Sequence, residues 1–419
     1  MVQIHKKFND IQVKELIERY IANKIGRKYV QEILGIKKTR FFALVKQVKE
    51  DPENFSILYT RKTPTRRISP VTERNIVKEL KKEKELIENK NIPIKHYNYS
   101  YIQDLLEQDY QQKVSLPTII DRARRNNCYF PRAKQKVHDR EVLTNYPGQL
   151  IQHDSSHHKF SPYAADKWYL ITSLDDFSRY ILYAILVAKE TSWEHILALE
   201  YVLLNYGVPL CYYVDSHSVF RFVQGRDSYW RNHYCLTDQI SPQWKQVLDD
   251  CKIKVSYALS PQAKGKIERP YQWIQDRLVR TCAREGITDI RLAQLILNKL
   301  IHQYNYHWIH STTGEVPYLR FQRAIRENKT LFRTFSITPP FLSTKDIFCL
   351  RAERMVNAYR KISINKLEFK VPTAPIHERI QLRIIPEKES GLSEVRFWHK
   401  DKFLGTQIVK NSDLNMVHF

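Results

Sequence analysis

Residues 149–187, QLIQHDSSHHKFSPYAADKWYLITSLDDFSRYILYAILV, decide the fold class of this chain. They contain three short β-type runs, at residues 149–153, 168–174 and 180–187. The sequence DDFSR between the second and third runs is typical of a tight turn, because Asp and Ser hydrogen-bond to nearby backbone. The stretch therefore predicts an antiparallel meander of three β-strands.

The residues after this meander alternate between helical and strand patterns. Residues 193–204 and 243–251 have helical periodicity, whereas residues 210–214 and 253–258 are short β-type runs. A long helix is predicted to begin near residue 263 and to continue past residue 280. The order βββαβαβα is that of the ribonuclease-H-like fold, an α/β core with a mixed five-stranded sheet.

Three carboxylates lie where this topology can bring them together. Asp154 comes at the end of the first strand, Asp215 just beyond the fourth, and Glu268 on the long helix. The first and fourth strands are neighbours at the centre of such a sheet, and the long helix packs across their ends. Carboxylates are ligands that Mg²⁺ prefers, and two such ions about 3.5–4 Å apart can hold the attacking and leaving oxygens of a phosphoryl transfer. We therefore predict that these three residues are catalytic and bind metal.

The segment around Glu268 combines a buried stripe with basic residues. The apolar positions recur at helical spacing beside Glu268, and they are Ile267, Tyr271, Ile274 and Leu278. The cations Lys264, Lys266 and Arg269 are candidate phosphate contacts, although a solvated helix face explains each of them equally well. Pro270 cannot donate a backbone hydrogen bond, so the helix is expected to start late or to kink there.

Three segments of this core resemble the DDE transposases of bacterial insertion sequences, which have a retroviral-integrase-like core. They are PGQLIQHDSS around Asp154, YVDSHSVF around Asp215 and SPQAKGKIERPYQWIQDRLVR around Glu268, and the last two are most similar to ISNCY-type elements. The resemblance covers residues 146–321. It implies an enzyme that binds transposon ends, cuts the 3′ strands and joins them to target DNA, with Asp154, Asp215 and Glu268 as the metal-binding triad.

The same resemblance implies the partners of the chain. Its cofactor would be Mg²⁺ or Mn²⁺, as two ions. Its partner would be double-stranded DNA, both the terminal inverted repeats and the target, bound by a homo-oligomer of at least two subunits. The expected location is the bacterial cytoplasm, in association with the nucleoid and not with a membrane.

Two features depart from the best-known pattern of that family. Between Asp215 and Glu268 lie 52 residues, more than in that pattern, and we place the excess in a Tyr- and Arg-rich insert at residues 221–238. No HHCC zinc domain precedes the core, where helix-turn-helix patterns occur instead. The insert can reshape access to the site without removing the triad.

A helix-turn-helix pattern is predicted within residues 1–58. Two short amphipathic helices lead to Gly35, where we expect a turn because glycine adopts positive φ without steric cost. The next helix is predicted over residues 37–49, with Phe42 among its inward-facing residues. Its exposed face carries cations that could enter a major groove, namely Lys37, Lys38 and Arg40.

A second pattern of this kind is predicted in residues 71–130. Ser115 is the expected N-cap of its last helix, which carries Arg122, Arg124 and Arg125. Each trio of helices alone could be an ordinary bundle with a solvated basic face. Two in series on a basic chain favour DNA binding.

The remaining segments complete a multidomain organisation. Residues 59–70 form a basic linker, whose Arg66 and Arg67 could follow a phosphate backbone or enter a minor groove. Five short β-type runs near the C-terminus predict a small SH3-like barrel that contacts DNA without sequence preference. The predicted domains are two helix-turn-helix domains at 1–58 and 71–130, linkers at 59–70 and 131–146, the core at 147–325, and the barrel at 343–415.

Composition limits the possible partners. The chain has 68 Lys and Arg against 45 Asp and Glu, a formal net charge of +23, which indicates a nucleic acid or an anionic membrane. The longest apolar stretch has nine residues, 180–188, whereas a spanning helix needs about 20, and no secretory signal is recognisable. The ten glycines disfavour glycine-rich phosphate loops, and the six cysteines, without a CxxC pair, fit reduced and buried thiols.

Several other polar residues near the triad are further candidates for metal or phosphate binding. Asp175 and Asp176 are expected to serve the turn. Zinc binding by the group His153, His157 and His158 is disfavoured because no cysteine lies near. His217 is as consistent with a contact to the scissile phosphate or a metal-bound water as with a turn cap, and the two acids at the insert, Asp227 and Asp238, are expected to be exposed or capping.

Two other functions remain open at this point. A transcriptional regulator could keep the fold without catalysis, although the intact triad disfavours it. A free-standing nuclease of the ribonuclease-H type is also possible, but such an enzyme does not need two helix-turn-helix modules.

Overall fold

The computed structural model of the 419-residue chain describes residues 4, 7–58, 68–130, 144–215, 243–257, 265–364 and 367–414, with residues 265–269 described by their backbone alone. The chain divides into two compact units, Met1–Arg74 and Asn75–Phe419. Among the helices in the described ranges, none is both long and apolar enough to cross a bilayer.

The first unit contains a trio of helices, α1 Asp10–Ile21, α2 Arg27–Leu34 and α3 Lys38–Glu50. Gly35 ends α2 with a φ of 64°, which confirms the predicted turn. Positions Phe41, Leu44 and Val48 of α3 are buried in the shared core. The prediction that Phe42 faces inward is wrong, since it is 41 % exposed. One residue further along a helix points about 100° away, so Phe42 lies outside the stripe that Phe41 begins.

A second trio of helices follows, with α4 Pro70–Glu88, α5 Tyr99–Gln108 and α6 Leu116–Arg125. Its core contains Ile76, Leu80, Ile102 and Ile119. Ser115 is the N-cap residue of α6, as predicted. Its hydroxyl bonds the Thr118 hydroxyl at 2.8 Å.

Five strands form the central sheet in the order β3-β2-β1-β4-β5. Strands β1, β2 and β3 are antiparallel neighbours, whereas β4 runs parallel to β1 and β5 runs parallel to β4. The predicted mixed five-stranded sheet of the α/β core is therefore confirmed. The strands are β1 Ile151–His158, β2 Trp168–Asp175, β3 Ile181–Val187, β4 Cys211–Val214 and β5 Lys254–Tyr257.

Helices cover both faces of this sheet. Helices α7 Ser192–Asn205 and α8 Gln243–Asp250 pack on the face that presents Ile151 and Tyr212. Helices α9 Gly265–Glu285 and α10 Ile290–Tyr306 pack on the opposite face, against Leu170 and Leu174. Helix α9 includes Pro270, so the predicted late start is wrong. A further helix, α11 Pro317–Arg326, was not predicted.

The C-terminal region contains six strands where five were predicted. Four of them form an antiparallel sheet in the order β11-β10-β9-β6, and β7 and β8 form a separate hairpin. Among the strands that the structure describes, no pairing closes either sheet, so the barrel stays a prediction. The elements are the short helix α12 Thr344–Ile347 and strands β6 Leu350–Met355, β7 Lys361–Ile364, β8 Leu367–Lys370, β9 Arg379–Glu387, β10 Leu392–His399 and β11 Lys402–Lys410.

Candidate active site

Asp154 lies on β1, and Asp215 directly follows β4, the parallel strand beside β1. Ile151 pairs with Tyr212 and Gln152 with Tyr213, and the same offset of 61, continued beyond these pairs, leads from Asp154 to Asp215. Asp215 follows the last residue of β4, as predicted. Asp154 lies in the middle of β1 and not at its end, because β1 continues to His158.

Both carboxylates belong to the sheet face that α9 covers. Side chains alternate between faces along a strand. Tyr212 and Val214 of β4 pack in the core shared with α7 and α8, so the next residue, Asp215, points to the other face. His153 lies beside Tyr212, with ring centroids 6.0 Å apart, so Asp154 also points toward α9.

Helix α9 is fixed to β1 beside Asp154. The Tyr271 hydroxyl donates a hydrogen bond to the backbone carbonyl oxygen of Asp154 at 2.7 Å. It accepts one from the Thr172 hydroxyl at 2.8 Å. One turn further along α9, the Gln275 amide nitrogen donates to the Ser156 hydroxyl at 2.5 Å. These bonds set the position of the helix along the strand.

The third predicted carboxylate is on this helix. Glu268 lies in α9, three residues before Tyr271. Lys266 and Arg269 are in the same turn. The structure describes only the backbone of these three positions, whereas Lys264 lies outside the described residues.

The electrostatics of Tyr271 indicate that several carboxylates are close to it. Burial raises the pKa of Tyr271 well above its ordinary value, and negative charges on Asp154, Glu190 and Asp215 raise it further. A hydroxyl with such a pKa stays protonated at neutral pH and remains a hydrogen-bond donor. Two predicted metal ligands, Asp154 and Asp215, are therefore close enough to act electrostatically on Tyr271.

Glu190 was not predicted, and no motif points to it. It lies in the loop between β3 and α7. One of its carboxylate oxygens accepts hydrogen bonds from the Ser155 hydroxyl and from His195 Nε2, the latter at 2.9 Å. A buried chain continues from His195 Nδ1 to His153 Nε2 at 2.8 Å and from His153 Nδ1 to the Ser173 hydroxyl at 2.9 Å. His153 therefore belongs to a buried polar network on the sheet face that α7 and α8 cover.

The other two histidines near Asp154 have separate surroundings. His157 stacks on Tyr169 with ring centroids 4.2 Å apart. His158 meets Phe160 edge to face at 5.5 Å, and burial lowers its pKa. Among the side chains that the structure describes, no group of three or more His, Cys, Asp or Glu residues is arranged to hold a metal ion.

Asp175 and Asp176 serve the turn after β2, which confirms their predicted role. The Asp175 carboxylate accepts hydrogen bonds from the backbone N–H groups of Ser178 and Gly148, both at 2.9 Å. Asp176 pairs with Arg179 at 2.7 Å. Both acids are buried, and burial raises the pKa of Asp175 to about 6.

The predicted DNA contacts on the two helix trios differ in exposure. Lys37, the N-cap residue of α3, and Lys38 are exposed, whereas Arg40 is half-buried. On α6, Arg124 and Arg125 are exposed. Arg122 is half-buried against Asp121. The predicted positions outside the described residues are Arg66, Arg67, His217, Asp227 and Asp238.

No protein-family model matches the chain. It is 26 % identical over 247 residues to "Putative transposase y4bF" of Sinorhizobium fredii, a match of 59 % of this chain and 47 % of that protein. It is 30 % identical over 202 residues to the transposase for insertion sequence IS1202 of Streptococcus pneumoniae, a match of 46 % of this chain and 40 % of that protein. The chain thus spans less than half the length of these curated relatives.

Two solved structures are also similar to parts of the chain. One is the HTLV-2 integrase catalytic core domain in complex with magnesium, with 21 % identity, a TM-score of 0.32, and coverage of 42 % of this chain and 97 % of that one. The other is a simian T-cell lymphotropic virus intasome in complex with a PP2A regulatory subunit, with 14 % identity, a TM-score of 0.35, and coverage of 74 % and 92 %. Since both curated relatives carry the name of a transposase, the predicted resemblance to transposases of bacterial insertion sequences is confirmed.

Proposed function

We propose that this chain is a DNA transposase of the DDE type. It binds the ends of its element, cleaves the 3′ strands and joins them to target DNA. The observation that supports the proposal most directly is that β1, which carries Asp154, runs parallel to β4, which Asp215 directly follows, and that the helix containing Glu268 bonds to the Asp154 backbone. These three acids are far apart in sequence, and the fold would bring them together as the carboxylate ligands of one site.

The donor set suits a hard divalent cation. Adjacent strands lie about 4.8 Å apart, so carboxylates on neighbouring strands could bind one ion between them, with oxygen ligands of the kind that Mg²⁺ and Mn²⁺ prefer. Asp154, Asp215 and Glu268 would hold two such ions. When bound, the ions supply the Lewis acidity that activates the attacking oxygen and stabilises the leaving one.

The chain's own groups prepare this site. Tyr271, whose raised pKa keeps it protonated, donates to the Asp154 carbonyl and so holds β1 at a fixed distance from α9. The cations Lys264, Lys266 and Arg269 precede or flank Glu268 on this segment, and we assign them to the phosphates of the bound DNA. His217, two residues after Asp215, is assigned to the scissile phosphate.

The remaining regions are assigned to DNA binding. Residues 1–58 and 71–130 would be the two end-binding domains, residues 147–325 the catalytic core, and residues 343–415 a domain for the DNA backbone. Exposed cations at the start of α3 and the end of α6 support this assignment. Because an element has two ends, we propose that the active form is at least a dimer on DNA.

Conservative substitution of the triad tests the proposal. Asp154→Asn, Asp215→Asn and Glu268→Gln should each reduce metal-dependent cleavage and joining of an end duplex to background, while affinity for that duplex is kept. The end sequence is identified as inverted repeats in the DNA that flanks the gene. The activity is measured with Mg²⁺ and with Mn²⁺ on labelled DNA.

Two matched controls use acids outside the triad. Asp166→Asn changes an exposed aspartate, and Glu285→Gln changes an exposed glutamate at the other end of α9. Both should keep wild-type activity. A wild-type chain that binds the ends but cleaves with neither metal would support a DNA-binding regulator instead. Cleavage of RNA–DNA hybrids without any end preference would support a nuclease.

A further inference from the structure

The second half of α9 is bound to the second helix trio through buried charges. Arg277 and Arg280 are only 2 % and 1 % exposed. Arginines are rarely buried to this degree unless they are paired. Their partners lie mostly on α4 and α5, so this half of α9 is an interface between the trio and the core.

The ion pairs of this interface are extensive. Arg280 pairs with Glu83 of α4 and bonds the His96 carbonyl oxygen at 2.5 Å. Arg284 pairs with Glu79 and, at 3.5 Å, with Glu83. Both glutamates are almost completely buried. Because the charges of these pairs are buried together, removal of one partner alone would leave the other charge buried without compensation.

A second set of contacts joins α5 to the same helix. Arg277 pairs with Asp104 at 2.9 Å and donates to the Ser100 hydroxyl at 3.2 Å. The Tyr101 and Thr281 hydroxyls are hydrogen-bonded at 2.9 Å. Apolar packing supplements these bonds, in a buried cluster of Ile92, Ile94, Val279 and Ala283. The trio is therefore held to α9 along two of its helices.

The same helix is fixed at its other half to the candidate active site. Tyr271 and Gln275 bond to β1, and Glu268 lies near the helix start. From Glu268 to Arg280 the helix rises by about 18 Å, at 1.5 Å per residue. One continuous helix thus connects the trio that ends in α6 with the acids of the sheet.

We propose that this interface sets the distance between the DNA sequence held by α4–α6 and the phosphodiester that is cut, so that the docked trio selects the cleavage position. The proposal rests on the proposed function, since it assumes end binding by α6 and cleavage at Asp154 and Asp215. Arg277, Arg280 and Arg284 are then positioning residues, which touch neither the DNA nor the reacting atoms.

Two variants loosen the interface in different ways. Asp104→Asn weakens the pair with Arg277 while keeping the side-chain shape. The double variant Glu83→Met and Arg280→Met removes both charges of the buried pair, an exchange that proteins often tolerate. Arg284 keeps its pair with Glu79, whereas Asp276 loses the Arg280 guanidinium that binds it at 3.0 Å. The matched control is Asp250→Asn, whose pair with Arg351 at 2.6 Å is similarly buried but joins α8 to β6. The exposed fractions of Asp104 and Asp250 are 20 % and 22 %.

The experiment maps the cut at single-nucleotide resolution on a labelled end duplex with Mn²⁺. In parallel, fluorescence anisotropy gives the affinity for the duplex, and nicking of supercoiled plasmid reports the intrinsic activity. Wild type and Asp250→Asn should cut at one phosphodiester. The interface variants should bind and nick as wild type does, but cutting at that phosphodiester should fall by about 10- to 100-fold, with new cuts at its neighbours.

The outcomes separate this inference from the proposed function. Interface variants that cut the normal phosphodiester in the same proportion as wild type overturn the inference alone. A wild-type chain that neither nicks plasmid nor cuts the end duplex overturns the proposed function and this inference with it. If the double variant does not fold, as judged by circular dichroism, Asp104→Asn still decides the matter by its cut positions.

Discussion

The Tyr271 hydroxyl and the backbone carbonyl oxygen of Asp154 are joined by a hydrogen bond of 2.7 Å. Tyr271 is 5 % exposed, so water cannot replace this bond. The bond joins the helix of the third acid to the strand of the first. The bond reaches the backbone of Asp154 and not its carboxylate, so this bond itself uses neither oxygen of the side chain.

Tyr271→Phe should lower both the activity and the stability of the chain. The change leaves the Asp154 carbonyl and the Thr172 hydroxyl without their buried partner, which should cost about 1–3 kcal/mol in the free energy of unfolding. A shift of α9 along β1 should also raise the Mn²⁺ concentration needed for half-maximal cleavage. Urea denaturation and a metal titration of end cleavage measure the two effects.

Tyr304→Phe is the matched control for this change. Tyr304 is buried to a similar degree, but its hydroxyl has no hydrogen-bond partner among the residues that the structure describes. Its removal should leave the metal titration unchanged and stability equal or slightly higher. If Tyr271→Phe behaves like Tyr304→Phe, the Tyr271 bond does not position the site.

The patterned parts of this fold could be predicted from the sequence. Strands β2 and β3 and helix α7 follow runs of apolar residues, whereas β1, IQHDSSHH, is mostly polar and extends beyond its predicted range. The predicted sheet order makes β1 and β4 neighbours, which is observed, but the sequence did not show that β1 continues past Asp154 to His158. Gly35 marked its turn because glycine adopts the left-handed conformation at little cost.

The wrong predictions and the missed features have separate physical causes. Phe42 was assigned to the core for its hydrophobicity, although its helix position points outward. Strand β6, LRAERM, escaped prediction because three charged residues interrupt its apolar pattern. Glu190 has no motif, and only the folded structure brings it to Ser155 of β1 and His195 of α7. The pairing of Arg280 with Glu83 joins residues 197 positions apart, which no local pattern encodes.

The stability of the fold should depend on pH through Asp175. Burial raises the pKa of this carboxyl group from 3.8 to about 6. The folded chain therefore holds the proton more tightly than the unfolded chain does. The resulting stabilisation is complete below about pH 4 and is lost as the pH rises through about 6.

The comparison of wild type with Asp175→Asn isolates this effect. The loss of stability in the variant should be greater near pH 4 than near pH 7.5, by an amount on the order of 2–3 kcal/mol at about 1.4 kcal/mol per pKa unit. Denaturant titrations at several pH values measure it. A loss that is the same at all pH values would show that Asp175 keeps an ordinary pKa in the folded chain.

Gly148 should be far less tolerant of alanine than Gly391 is. Both have positive φ, 76° and 68°. A Cβ atom on Gly148 would lie 2.7 Å from the backbone nitrogen of Phe332, whereas one on Gly391 would meet nothing within 4 Å. Gly391→Ala should cost about 1–2 kcal/mol for its backbone conformation, and Gly148→Ala about 1–3 kcal/mol more for the overlap.

Thermal and urea denaturation of the two glycine variants provide the comparison. Gly148 precedes β1, and its N–H group bonds Asp175, so the shift that relieves the overlap should also disturb this bond. Equal losses in both variants would mean that the segment at Phe332 moves aside freely.

Binding of the end duplex should weaken steeply with salt, and Arg124 and Arg125 should account for part of that dependence. Both are exposed at the end of α6, and cations that contact phosphates release counterions from DNA. Loss of each contact should make the slope of log K against log salt shallower by about 0.9. Arg124→Gln with Arg125→Gln should therefore reduce the affinity and flatten the slope, as measured by anisotropy from low to high salt.

Lys84→Gln is the control for this double variant. Lys84 is an exposed cation of α4 that pairs with Glu88 at 3.7 Å, and it was not among the predicted DNA contacts. Its loss lowers the net charge of the same helix trio, yet it should leave the slope unchanged, because counterions are released only where a cation replaces them at a phosphate. If all three substitutions flatten the slope to a similar extent per charge, the chain binds DNA through its overall charge and α6 is not a recognition helix.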